Sequence, residues 1–250
     1  MTCNKAFSIK GKDRSANIII LCDHASNRIP PEINNGCLGL SKRDMERHIA
    51  YDVGAAGVSQ HLGALLDAPV ITSNFSRLVI DPNRGEDDPT LLMRLYDGSI
   101  IPANRYADEA EKNRRLELCY RPYDQAITDT IAQYENPILI SMHSFTPQLN
   151  GRAKRPWEIG VLFAQDQRLS APFITSLQRD PELTIGINEP YSGKLDGDTM
   201  DRHAMRAGHL HALIEVRNDL IETENGQKQW AERLAPHLIT AIEHATNQGA

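Results

Sequence analysis

The 250-residue chain lacks the features that would tie it to a membrane, a nucleic acid or an oxidising compartment. No apolar run approaches the ~20 residues needed to cross a bilayer. Residues 1–15 are polar and carry no apolar signal-peptide region. The four cysteines, Cys3, Cys22, Cys37 and Cys119, contain no C-x-x-C pair. Neither a disulfide framework nor a structural zinc site is expected, and free thiols in a cytoplasmic protein are the simplest reading. The formal charge is only −6, and no stripe of interleaved basic and aromatic residues is present. Nucleic acid and anionic membrane are therefore not expected as partners. There is no G-x-S-x-G, no Walker sequence and no G-x-G-x-x-G. Ser26, Ser141 and Ser144 flank histidines of interest, but no nucleophile elbow supports a serine mechanism. No internal repeat or low-complexity stretch occurs.

What remains is enough for one core. Hydrophobic residues make up 40% and charged residues 24%, which fits a single compact domain over residues 1–250. Residues 17–22 (NIIILC) and 137–142 (PILISM) are short continuous apolar runs, the pattern of strands buried on both faces. Further strands are expected at 68–72, 76–80, 158–163, 184–188 and 210–216. Helical spacing runs through 41–66, 105–134 (broken near Pro122), 169–177, 203–207 and 221–244. Strands alternating with helices predict an α/β sheet covered on both faces. Such sheets hold ligands just beyond the carboxyl ends of their strands.

Four polar clusters follow predicted strands: Asp23-His24, Asp81-Pro82-Asn83-Arg84, Ser141-Met142-His143 and Glu215-Val216-Arg217. His24 and His143 each close a buried strand, where a fixed backbone suits a metal ligand. Either alone reads first as a structural histidine that hydrogen-bonds a neighbouring loop. A catalytic zinc needs a third protein ligand. Asp52, in an otherwise apolar helical stretch, is the preferred carboxylate, since a carboxylate there needs a partner or a metal. Asp23 is next to His24, and neighbours on a strand point to opposite faces. Arg77 and Arg84 could bind an anionic substrate through bidentate hydrogen bonds, and Asn83 could be turn chemistry alone. Glu215, inside an apolar strand, is either a general base with a raised pKa or a buried salt-bridge partner of Arg217. His209 and His211 form a rival H-x-H metal motif. His48, His61, His237 and His244 fall on predicted helices and are expected to be exposed or loosely packed.

Seven blocks in order resemble one family. They are Asp23-His24-Ala25-Ser26-Asn27-Arg28-Ile29-Pro30, His48-Ile49-Ala50-Tyr51-Asp52-Val53-Gly54-Ala55 and Ser76-Arg77-Leu78-Val79-Ile80-Asp81-Pro82-Asn83-Arg84. His143-Ser144-Phe145-Thr146-Pro147, Arg155-Pro156-Trp157, Asn188-Glu189-Pro190-Tyr191 and Ile214-Glu215-Val216-Arg217-Asn218-Asp219-Leu220 follow. Together they resemble the N-formylglutamate amidohydrolases, which are similar in fold to zinc carboxypeptidases and aspartoacylase-like deacylases. The resemblance implies a mixed, mainly parallel sheet flanked by helices on both faces. It implies one divalent metal, zinc being favoured, on His24 and His143. It also implies Glu215 as base, Arg77 as a carbonyl-polarising group, and Asn83 and Arg84 as carboxylate binders. Tyr191 and Arg217 are expected to join them at the substrate. The H-x-x-E carboxylate of the carboxypeptidases and deacylases falls here on Asn27, a second reason to take Asp52 as the third ligand. The implied reaction is hydrolysis of an N-acyl amino acid, such as N-formyl-L-glutamate, to formate and glutamate. A hydrolase of another N-acyl amino acid or small peptide, or a non-catalytic amino-acid-binding relative, are the alternatives.

Overall fold

The computed structural model describes residues 6–247. In chain order the strands and helices are β1 (Phe7–Lys10), β2 (Ile18–Cys22), α1 (Lys42–Met45), α2 (Ala55–Leu65), β3 (Val70–Ser73), β4 (Leu95–Tyr96), β5 (Ser99–Ile100) and α3 (Pro102–Arg105). They continue with α4 (Glu109–Arg115), α5 (Arg121–Ile131), β6 (Ile138–Phe145), β7 (Ile159–Leu162), α6 (Ser170–Leu177), β8 (Ile185–Ile187), β9 (His211–Arg217) and α7 (Glu224–Asn247). Seven strands form one mixed, mostly parallel sheet in the order β1-β3-β2-β6-β9-β7-β8. β3, β2, β6 and β9 run parallel at its centre, β1 pairs antiparallel with β3, and β7 pairs antiparallel with β9 and parallel with β8. β4 and β5 form a separate hairpin.

The sheet's connectivity positions the site. From β2 the chain moves to β3 on one side, and later to β6 on the other. The crevice at such a reversal, beyond the carboxyl ends of parallel strands, is where open α/β sheets bind ligands. Because side chains alternate, one face of these strands carries Ile20, Ile140 and Ile214, packed under α2, α6 and α7. The other face carries Ile19 and Leu21, then Leu139, then Leu213. Continuing that second stripe toward the strand ends gives Asp23, Ser141, His143 and Glu215. The polar residues thus sit in register with a core stripe, and His143 lies directly opposite Glu215 on the neighbouring strand.

Several sequence expectations need correction. Residues 41–66 are not one helix: α1 is a single turn, and α2 begins only at Ala55. The backbone N–H of Asp52 donates to His24 O at 2.9 Å, a tertiary bond that a continuous helix would not leave free. Gly54 then takes φ +80°, and a Cβ there would lie 2.1 Å from Ile221 O, so only glycine fits. Residues 76–80 are a buried turn rather than a strand. Val79 N–H donates to Ser76 O, and the Ser76 hydroxyl donates to Ala50 O at 2.7 Å. The apolar Leu78, Val79 and Ile80 are buried there without any ladder.

The break expected near Pro122 is a π turn, Leu116–Tyr120, between α4 and α5. Pro122 has no N–H to give to the preceding turn, and the widened turn absorbs the defect. A second π turn, Asp201–Met205, replaces the expected helix at 203–207. His143 lies within β6 rather than just past its end. Cys22 and Cys119 are buried thiols and Cys37 an exposed one, while Cys3 lies outside the described residues. No helix among the described residues is long and apolar enough to cross a membrane.

Candidate active site

A cavity of about 270 Å³ opens at the carboxyl ends of β2, β6 and β9. Its lining includes His24, Asp52, His143, Glu215, Arg77, Asn83, Arg84 and Tyr191. Eight of the nine residues singled out from the sequence therefore meet in one place. The ninth, Arg217, does not line it. Its guanidinium is held by Glu158 (3.0 Å) and Asp219 (2.8 Å) and also donates to Trp157 O. The expectation that Arg217 contacts substrate is corrected on that geometry. Alternation alone would put it on the Glu215 stripe, but it is the last residue of β9, and Glu158 and Asp219 draw its side chain away from the cavity. Nor does Arg217 pair with Glu215, which removes the buried-salt-bridge reading of that acid.

His24, Asp52 and His143 are buried, and one ligand atom from each lies within 4.8 Å of the others. Nδ1 of His143 is 2.8 Å from Asp52 Oδ2, and Nδ1 of His24 is 3.3 Å from the same oxygen. The outer nitrogens are also engaged. His24 Nε2 meets Asp81 Oδ1 at 2.7 Å. His143 Nε2 meets Ser141 Oγ at 2.9 Å and Asp23 Oδ2 at 3.3 Å. Both rings are thus oriented from behind by a carboxylate, with Nδ1 turned inward, the arrangement that fixes a ligating imidazole's tautomer. Asp23, rejected as a ligand from strand alternation, supports His143 instead. Asn27 turns away, donating to Met45 O at 2.9 Å.

The electrostatics favour positive charge at this centre. Burial works against a charged Asp52, but the two histidines outweigh it and hold its carboxyl well below the usual range. Burial likewise opposes the His143 imidazolium, yet its hydrogen bonds to Asp23 and Asp52 raise its pKa well above the ordinary value. Asp81 is held low against burial chiefly by Arg77, with which it shares a 2.7 Å ion pair. Two imidazoles and a carboxylate converging in an acid-rich, buried setting fit a divalent cation. This group could hold a metal. His209 and His211 do not compete: His211 Nδ1 bonds His209 O, and neither lines the cavity.

Glu215 is 7% exposed, and its Oε2 has no hydrogen-bond partner. Burial pushes its pKa up to about 7, with the His143 charge opposing and the Asp52 charge reinforcing. A buried carboxylate oxygen left unpaired is costly to stability, and such groups cluster at functional sites. Arg77 is committed to Asp81 and stands 3.5 Å from Asp52 Oδ1, so it braces the acids as well as lining the wall. Arg84 and Lys194 line the cavity too, and neither forms an ion pair among the described residues. The Tyr191 hydroxyl accepts from Arg155 at 3.2 Å.

His48 is the residue that sequence reasoning misplaced. It lines the cavity, packs edge-on against Tyr96 with ring centroids 6.0 Å apart, and lies 3.5 Å from Asp97. Its expected helix ends at α1, and the hairpin β4–β5 that covers it has no strong strand pattern.

The sequence model of the N-formylglutamate amidohydrolase family matches residues 16–222. No curated protein matches the chain. Among solved structures, gene product Atu2144 from Agrobacterium tumefaciens is 33% identical, with a TM-score of 0.90 over 96% of this chain and 95% of that one. An N-formylglutamate amidohydrolase from Ralstonia eutropha JMP134 shares the fold at 19% identity and TM-score 0.71, covering 98% of this chain and 100% of its own.

Proposed function

The chain belongs to the N-formylglutamate amidohydrolase family, and on that premise we propose that it hydrolyses the amide of an N-formyl amino acid in a metal-dependent reaction, with N-formyl-L-glutamate the first candidate. The observation that carries this reading is the unpartnered, buried Glu215 oxygen in the same cavity as the His24–Asp52–His143 group. His24, Asp52 and His143 would hold the cation, zinc being favoured by two nitrogen donors and one carboxylate. When bound, it supplies a Lewis acid and lowers the pKa of water at its open position.

The protein's own groups carry the rest. Arg84 binds the substrate carboxylate from the cavity wall, and Asn83 beside it shapes the same corner. Glu215 takes a proton from the attacking water as the new C–O bond forms at the formyl carbon. Arg77 keeps positive charge near the carbonyl oxygen as negative charge develops there. Collapse breaks the C–N bond, and Glu215 returns the proton to the departing nitrogen. The products are formate and the free amino acid, and water supplies the oxygen and hydrogen that balance them.

The decisive experiment is metal content of the purified protein, with formate release from N-formyl-L-glutamate assayed before and after chelation. About one metal per chain with chelator-sensitive release is the expected result. Metal-loaded protein that releases formate equally from neutral N-formyl amino acids would remove the glutamate assignment. Loaded protein inert toward all of them would remove the deformylase assignment.

A further inference from the structure

Both π turns converge on one carbonyl. Tyr120 ends the first and Arg202 is the second residue of the other. The Tyr120 hydroxyl donates to Arg84 O at 2.7 Å, and Arg202 Nη1 donates to the same oxygen at 3.2 Å. Arg202 also donates to Gly197 O and, through Nη2, to Pro82 O at 3.0 Å. Its guanidinium lies 5.2 Å from the centre of the Tyr120 ring. Asp124, one helical turn beyond Tyr120, anchors Arg202 Nε at 3.1 Å and His203 Nε2 at 2.7 Å. Thr199, at the head of the second turn, donates its N–H to Asn83 Oδ1 at 3.0 Å.

From this convergence the geometry points to Arg202 and Tyr120 as positioning residues that clamp the Pro82–Arg84 segment and so set the pose of the Arg84 guanidinium. The inference rests on the reading of Arg84 as the substrate-carboxylate binder. Its physical basis is accounting. A loop has few backbone partners of its own, so its carbonyls must be satisfied from elsewhere. Here Pro82 O and Arg84 O are met by the Arg202 fork, the Tyr120 hydroxyl and, at 3.4 Å, the Thr199 hydroxyl; Asp124 holds the fork, and the fork lies over the Tyr120 ring. π turns recur at functional sites because they re-aim a side chain without ending the helix. The first turn, next to Pro122, aims Tyr120, and the second aims Arg202. A lysine at 202 would keep the charge but could not reach several carbonyls at fixed angles.

The test uses the full chain with Tyr120→Phe, Arg202→Lys and, as reference, Arg84→Ala. Tyr120→Phe removes one oxygen and is the variant least able to disturb folding. The expected result is faster backbone amide exchange across residues 82–90. KM for N-formyl-L-glutamate should rise about 5-fold in Tyr120→Phe, the worth of one hydrogen bond, and more in Arg202→Lys, with kcat within twofold. Adding Tyr120→Phe to Arg84→Ala should raise KM no further. Unchanged exchange at 82–90 in both variants overturns the clamp, as does an unchanged KM where Arg84→Ala raises it. If Arg84→Ala itself leaves KM unchanged, the carboxylate-binding reading fails and takes the positioning role with it. If the wild type releases no formate, the substrate reading fails and the exchange measurement alone decides the clamp.

Discussion

The two faces of the sheet are built by different rules. One is covered by α2, α6 and α7, whose buried residues such as Val58, Phe173 and Leu234 pack on Ile20, Ile140 and Ile214. The other is covered by one regular helix, α5, whose Tyr123 and Ile127 pack there, and otherwise by turns, short helices, a hairpin and two π turns over Ile19, Leu139 and Leu213. Every group proposed for the chemistry belongs to the second face or to the loops above it. The regular face has only to be apolar and well packed, which helices achieve with no special backbone. The irregular face must present polar atoms at set places inside a dry crevice. Doing so needs turns, a glycine of positive φ and widened helical turns, which each spend local regularity on position. Both faces bury apolar core, but only the second also carries the groups proposed for the chemistry.

The sharpest way to break that division is at the metal group. Asp52→Asn should empty the site, because the two remaining histidines bind a divalent ion poorly; elemental analysis of the purified variant reads it. Full occupancy would mean that Asp52 is not a ligand. Next in size is Glu215→Gln, expected to lower kcat by at least ~10²-fold, the usual size of general-base catalysis. Metal content should be unchanged and the melting point no lower, since the amide removes a buried acid. Survival of kcat would displace Glu215 as the base.

The regular face should answer in the opposite way. Leu234 is fully buried on α7, and Leu234→Ala should cost about 2–5 kcal/mol of stability in urea unfolding, with kcat/KM of the folded protein unchanged. A loss of catalysis as large as the loss of stability would show that the two faces are not separable.

The smallest effect concerns Asp198, a buried acid at the cavity's edge. Burial raises its pKa to about 6, against roughly 3.9 in an unfolded chain. A raised folded-state pKa favours the native protein while the acid is protonated. That contribution is complete below the unfolded value and is lost as pH rises through about 6. Asp198→Asn keeps the oxygen that accepts from Asp201 N and carries no charge. It should match the wild type near pH 4 and exceed it by up to about 3 kcal/mol near pH 8. Thermal melts across that range measure the difference, and a constant offset would refute the assignment.

Legibility from sequence followed the same division. The apolar runs at β2, β6 and β9 were readable because a strand buried on both faces needs uninterrupted Ile, Leu and Val. His24, His143 and Glu215 were readable because they interrupt or end those runs. On the irregular face, Leu78-Val79-Ile80 looks like a strand and is a turn. Apolar composition reports burial, and burial does not require a ladder. The stretch containing Asp52 looks helical, but the Asp52 N–H bonds His24 O instead. His48 opens one of the matched blocks but does not read as a site residue, because its neighbours in the cavity, Tyr96 and Asp97, come from a hairpin far along the chain. Arg217 misled because it sits in a matched block beside Glu215, while its partners, Glu158 among them, lie elsewhere in sequence.

The sequence by itself determined the class of fold, the family and most of the residues that meet in the cavity. These depend on local periodicity and on residue types that cannot be buried without a reason. Only the tertiary structure decided which carboxylate faces the two imidazoles and which carboxylates stand behind them. It alone drew Arg217 to Glu158 and Asp219 and brought Tyr120 and Arg202 to one carbonyl. Those outcomes are pairings between charges and donors tens of residues apart. Burial makes each such group find a partner, and the fold alone decides which one is within reach.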